Sequence, residues 1–218
     1  MSEQQLSHRE AKKLRTRAAI EDCATELVLE RGSAHVTIED ICEPVGISKR
    51  TFFNYFASKE EAIIGPGPRV PSREELDEFL ASPHQDIFVS TLRFFYSLLF
   101  HENNPFNWTT MKRRHKIKEQ EPELSAHQIG SFHSARHQVE DLLTRYFLAF
   151  PADIKGGRSA QEEARLVTGG VIMCMLNGAK RWEETGSQDP DAIIAHSLDV
   201  RQGFLRVLAV GVDKQSNN

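Results

Sequence analysis

Residues 46–62 read GISKRTFFNYFASKEEA. Gly46 and Ser48 flank Ile47 in a turn, Lys49, Arg50 and Thr51 follow, and aromatic rings occupy positions 52, 53, 55 and 56. Ser58 and Glu61 then have the spacing of a capping box that opens another helix. A core helix has no use for adjacent cations, and a solvated helix has no use for four rings. A helical wheel at about 100° per residue separates the two demands. Phe52 and Phe56 are i, i+4 and share a face with Ile47, which predicts packing onto the rest of a domain. Arg50 with Asn54, and Thr51 with Tyr55, point away from that face. Lys49 lies at the edge near the helix N-terminus, and Phe53 falls between the two faces.

Helical spacing continues upstream. Ile20, Cys23, Ala24, Leu27 and Val28 follow the i, i+3, i+4, i+7, i+8 pattern of one buried face, and Gly32 stops that helix. Thr37 caps a second helix with Asp40 in its first turn; Ile38, Ile41, Cys42 and Val45 are its apolar positions, and Pro44 and Gly46 end it. Ser48 caps a third helix, 48–55. Three short helices with a Gly-containing turn between the second and third make a helix-turn-helix. In a major groove, the N-terminal side chains of such a third helix reach base edges, where Arg or Lys bonds guanine and Asn bonds adenine. Hydroxyls and helix N-terminal amides take phosphate oxygens.

With these features in order, residues 15–63 resemble the DNA-binding domain of TetR/AcrR-type transcriptional repressors. The features are a helix ending at Gly32, Thr37 opening the second helix, Gly46-Ile47-Ser48 as the turn, an aromatic-rich recognition helix, and Ser58-Lys59-Glu60-Glu61 opening a fourth. The resemblance implies phosphate contacts from Thr37, Tyr55 and Lys59, with Ser48 in the turn. It implies base contacts from Lys49, Arg50, Thr51 and Asn54, with Phe53 at a thymine methyl or sugar edge. This sequence has Phe53 where the family usually has tyrosine, Tyr55 where it often has histidine, and Pro44-Val45 where alanine is common.

The 218 residues are 39% hydrophobic and 27% charged, enough for one large domain or two small ones and unlike a disordered chain. A net charge of −4 excludes a strongly basic nucleic-acid coat while allowing a local basic face. Arg9, Lys12, Lys13, Arg15 and Arg17 form one basic cluster: either a soluble helix end or an arm touching the minor groove or backbone. Lys112, Arg113, Arg114, His115, Lys116 and Lys118 form another: a solvated face, or one lying over DNA or an anionic ligand. No apolar run approaches the ~20 residues of a membrane span, and the first twenty residues are polar. A cytoplasmic location and no membrane partner are expected. The cysteines, Cys23, Cys42 and Cys174, stand apart among apolar neighbours and are expected as buried thiols. A DNA-bound redox switch using Cys23 or Cys42 is one rival reading.

GPGPRVPS at 65–72 breaks the helical pattern and divides the expected all-α chain into a DNA-binding domain, 1–64, and a second helical domain, 65–218. Helices are expected from a Ser72/Glu75 capping box to about 81, over 84–102, from Asn104-Pro105 to about 119, and over 122–149, 159–185 and 189–210. The resemblance implies that the last two of these helices, about 159–185 and 189–210, pair with a second copy as a homodimer reading a palindromic operator. It also implies release by a small hydrophobic or amphipathic effector held among the middle helices. Candidate ligand contacts are Phe88, Leu92, Phe95, Phe106, Trp108, Met111, Phe132, His133, Met173 and Asn177. His133 and His137 lie i, i+4 with Glu140 nearby and His127 upstream, a spacing that can bind metal. A helical-bundle metalloenzyme using His133, His137 and Glu140 is the second rival. The favoured reading expects no enzyme, no cofactor and no metal.

Overall fold

Capping residues and apolar periodicity set ten α-helices in the computed structural model, which describes residues 8–101, 107–155, 157–187 and 189–212. They are α1 His8–Arg31, α2 Ile38–Val45, α3 Lys49–Phe53, α4 Lys59–Ile64, α5 Arg73–Leu80, α6 Ile87–Leu99, α7 Trp108–Gln120, α8 Ala126–Ala149, α9 Ala160–Thr185 and α10 Pro190–Val212. No strand occurs among the described residues. Backbone packing groups residues 1–67 with 101–131 as a first unit, and 68–100 with 132–218 as a second.

The chain does break at the expected Pro/Gly segment, which is non-helical over 65–72. The first unit nevertheless includes α7, which a boundary at residue 65 assigns elsewhere. Ile117 of α7 and the following Leu124 enter the same core as Ile20, Ala24 and Val28 of α1, Ile41 and Cys42 of α2, Phe52 and Phe56, and Ala62–Ile64 of α4. Phe52 is 0% and Phe56 1% exposed, so both rings of the face assigned to core packing are withdrawn from water, with Ile47 partly buried beside that core. Burying a side chain of this size contributes roughly 1.5–3 kcal/mol.

Local chemistry explains the short head helices. Thr37 and Asp40 form a reciprocal capping box on α2, and Gly46 closes that helix in the left-handed conformation at φ 72°. Pro44 does not terminate α2: it lies within the helix, removing one intrahelical donor while the turn continues to Val45. Ser58 caps α4 by accepting from Glu61 N–H. Its return bond differs from a capping box, because Glu61 Oε2 accepts from Ala57 N–H at 2.8 Å. The α7 helix is capped by Asn107 and begins at Trp108. Asn104-Pro105, the start suggested by sequence, lies outside the described residues.

In the second unit, α6 is capped by Asp86 and buries Thr91, Leu92, Phe95, Tyr96 and Leu98. Its first turn therefore falls three residues after the expected start. Gly178 of α9 lies against the backbone of Ser197 on α10, where any Cβ would collide. Ser197 Oγ is 3.0 Å from Tyr96 Oη, so one buried contact joins α6, α9 and α10. The expected Ser72/Glu75 capping box is present on α5.

Glu75 also receives two bonds from the Arg69 guanidinium, at 2.7 and 2.5 Å. These bonds, joined by the Ser72 amide, hold its carboxyl down at about 2, from an ordinary 4.5. Because the folded value lies below the unfolded one, the stabilisation is present above pH ~4.5 and fades as pH falls toward 2. Glu75→Gln should accordingly lower the melting temperature at pH 7. The gap from the parent should close between pH 4.5 and 2, which thermal denaturation across that range will measure.

Candidate nucleic-acid interface

The α2–α3 region of the first unit carries the polar residues singled out by sequence. Ser48 caps α3 by accepting from Thr51 N–H, and the Ser48 and Thr51 hydroxyls lie 2.9 Å apart. Only one of them can donate to the other, which leaves one hydroxyl hydrogen for an outside acceptor. Arg50 is exposed, with no ion-pair partner among the described residues. Asn54, at the C-cap of α3, is exposed as well. Lys49 pairs with Glu39 of α2, both more than half exposed, so water or a phosphate can exchange for that contact at small cost.

Phe53 stands out, at 54% exposure with its ring edge-on to the buried Phe52 at 5.7 Å. The helix turns it outward beside Arg50 and Asn54. Phe53→Ala should leave stability within about 0.5 kcal/mol of the parent. It should weaken duplex DNA binding severalfold, as paired melting and fluorescence-anisotropy titrations will show.

Several residues predicted to touch DNA have other engagements. Lys59 Nζ donates to Ser33 O at 2.6 Å and Val36 O at 2.8 Å, tying the start of α4 to the α1–α2 connection. Two of its three ammonium hydrogens are thus committed within the head. Thr37 donates its hydroxyl to Asp40 Oδ2 at 2.6 Å, and those bonds pull the Asp40 carboxyl below its ordinary range. A phosphate contact from Thr37 therefore requires exchange of that bond. Tyr55 is half-buried against the core, and its backbone carbonyl accepts from Arg17 at 3.2 Å.

The two basic clusters also divide. Arg17 bonds Glu21 at 3.2 Å and lies 4.3 Å over the Phe56 ring, so it belongs to the fold, whereas Arg9, Lys12 and Lys13 are exposed. Of the 112–118 run, Lys112 and Lys116 are exposed. Arg113 bonds Asp22 at 2.5 Å and Glu26 at 3.3 Å on α1. Arg114 is buried; its Nε donates to Ile63 O at 3.1 Å, and its Nη2 lies 3.3 Å from Glu21. Gln128 of α8 donates to the Ile64 and Gly65 carbonyls, while Lys118 donates to Gln128 Oε1 at 2.8 Å. Because an ammonium only donates, it fixes the amide oxygen toward itself and the amide nitrogen toward those carbonyls. Burial brings Lys118 down to about 8. Together Arg114 and Gln128 satisfy the carbonyls that the end of α4 leaves open. No periodic signal marks this clasp in the sequence, because its members are polar and buried.

The chain matches the family described as bacterial regulatory proteins, tetR family, over residues 20–62. Over those residues the head is similar to the DNA-binding domain of that family. The TetR-type head is 47% identical over 58 residues to the HTH-type transcriptional regulator TcmR of Streptomyces glaucescens, covering 27% of this chain. The chain spans about a quarter of that relative's length, 26%. Outside the TetR-type head, the matched family stretch includes none of α5–α10.

The ligand candidates fall in both units. Trp108 and Met111 are half-buried on α7 in the first. In the second, Leu92 and Phe95 are solid core, and Phe88 lies under the Arg201 guanidinium at 4.5 Å. Phe132 and His133 are exposed, Met173 is half-buried, and the exposed Asn177 bonds Met173 O at 2.8 Å. Phe106 and the side chain of His127 lie outside the described residues. The second unit does present an open cleft of about 580 Å³ between α5 and α6, lined by Phe79, His84, Arg93 and Phe94 with Glu75 and Glu78. None of the sequence candidates lines it.

The rival chemistries gain little. Burial pushes the Cys42 thiol up, and burial with Glu26 and Asp22 does the same for Cys23, which keeps both protonated and weakly nucleophilic. No group of three or more His, Cys, Asp or Glu side chains able to hold a metal forms among the described residues. His133, His137 and Glu140 thus lack the three-ligand arrangement of a catalytic metal centre.

Proposed function

We propose that this chain is a homodimeric, ligand-responsive transcriptional regulator, a repressor, whose TetR-type head binds a palindromic operator in double-stranded DNA. The observation that carries this reading is the division of α3. The helix is shorter than the expected 48–55: Phe52 within it and Phe56 just beyond it are buried, while Arg50 and Phe53 on α3 and Asn54 at its C-cap are exposed. One helix of this length reads few base pairs, so a twofold dimer on two half-sites supplies the specificity.

The second unit supports the dimer. On α9, Leu166, Gly169, Met173 and Leu176 recur at helical spacing; Leu166 is 55% and Leu176 68% exposed, and open space surrounds Gly169. The end of α10 leaves Phe204, Leu205, Val207 and Leu208 exposed. Apolar side chains at this density suit a second copy of the same surface. For the effector, the α5–α6 cleft offers aromatic rings beside Arg93 and two carboxylates, the setting for an amphipathic small molecule. Its binding releases DNA if it favours a state whose heads no longer match both half-sites.

Sedimentation equilibrium tests the dimer. The parent should be dimeric at micromolar concentration, and Leu176→Glu with Leu205→Glu should be monomeric and bind DNA at least tenfold more weakly. A monomeric parent that still binds a palindrome at full affinity contradicts the reading.

A further inference from the structure

We propose that His133 and His137 form a two-nitrogen chelate on the surface of α8 for a tetragonal divalent cation, copper(II) or nickel(II). The two residues are i, i+4, so their rings project from one helix face. Both are exposed, and their Nε2 atoms meet at 3.0 Å in a ring-to-ring hydrogen bond that a cation would displace, with ring planes at 84°. With metal–nitrogen bonds of roughly 2.0–2.1 Å, two ligands at a right angle span roughly 2.8–3.0 Å, and two at the tetrahedral angle roughly 3.3–3.4 Å. The rings thus already stand close to the right-angle span, the geometry of copper(II) and nickel(II).

A carboxylate lies beside the pair. Glu140 Oε2 lies 3.9 Å from Nδ1 of His137, and Arg136 holds the same carboxylate by a 2.9 Å contact to Oε1. At that distance the carboxylate is a neighbouring negative charge, which favours a cation at the pair without bonding the ring. Glu140 is thereby an electrostatic neighbour and not a ligand. Water completes the coordination, as no third donor of the usual kinds joins the pair among the described residues. The site shares no residue with α3 and needs no part of the DNA-binding reading.

Titration of the full chain with copper(II), nickel(II) and zinc(II), with electron paramagnetic resonance of the copper form, is the test. We expect one copper per chain, a two-nitrogen equatorial signature, nickel next in affinity and zinc weakest. His133→Ala and His137→Ala, both on exposed surface, should each weaken copper at least tenfold and reduce the signature to one nitrogen. Glu140→Gln should weaken it severalfold with both nitrogens retained, and His35→Ala should bind like the parent. Substoichiometric copper, unchanged affinity in either histidine variant, or zinc bound more tightly than copper would overturn the site.

Discussion

Arg114→Ala is expected to destabilise the first unit by about 3 kcal/mol, the range for breaking a buried ion pair from one side. Arg114 is 9% exposed. Its guanidinium approaches Ala62 O at 3.4 Å, Ile63 O at 3.1 Å and Glu21 at 3.3 Å. Removing it leaves open carbonyls at the end of α4 and strips one of two cations from a carboxylate that keeps only Arg17. For a unit of this size the melting temperature should fall by roughly 10–20 °C. Arg114→Lys should not restore it, since one ammonium cannot span the carbonyls and Glu21 as a planar guanidinium does. Adding Glu21→Gln to Arg114→Met should recover part of the loss, because no buried charge is then left with a single partner. Chemical denaturation of the three variants measures this, and a loss below 1 kcal/mol in Arg114→Ala would refute the clasp's importance.

The second large effect concerns recognition. Arg50→Ala should reduce affinity for a cognate operator by 10- to 100-fold, corresponding to roughly 1–3 kcal/mol for one base-directed contact. Its melting temperature should match the parent, because Arg50 is exposed and has no ion-pair partner among the described residues. The loss should be larger on the cognate site than on random duplex, which separates base reading from phosphate attraction. Titrations at two salt concentrations should show a similar salt slope for parent and variant, whereas Lys49→Ala should flatten it by about one.

Much of the head was legible in the sequence because its signals are local. The Thr37 cap, the left-handed Gly46 and the Phe52/Phe56 pair each follow from residues a few positions apart. What the sequence concealed depends on partners far along the chain. The basic run at 112–118 reads as a solvated face, yet Arg113 and Arg114 reach α1 and α4, some 50–90 residues away. Lys59 reads as a phosphate ligand by position, but its ammonium is held by two carbonyls of the α1–α2 connection. Pro44 reads as a stop, but α2 has one turn of tolerance for a missing donor before Gly46. The ligand candidates illustrate a different limit: aromatic residues at helical spacing serve core and cavity alike, and Leu92 and Phe95 proved to be core.

On the proposed function, the exposed face of α3 reads DNA sequence in a twofold assembly. Selection of bound duplexes from a random library, using the full chain and Arg50→Ala in parallel, is the decisive test. The parent should enrich an inverted repeat with half-sites about one helical turn apart, and the variant should lose a guanine preference at one symmetric pair of positions. Failure of the parent to enrich any sequence, or an identical enriched motif from both proteins, would contradict it.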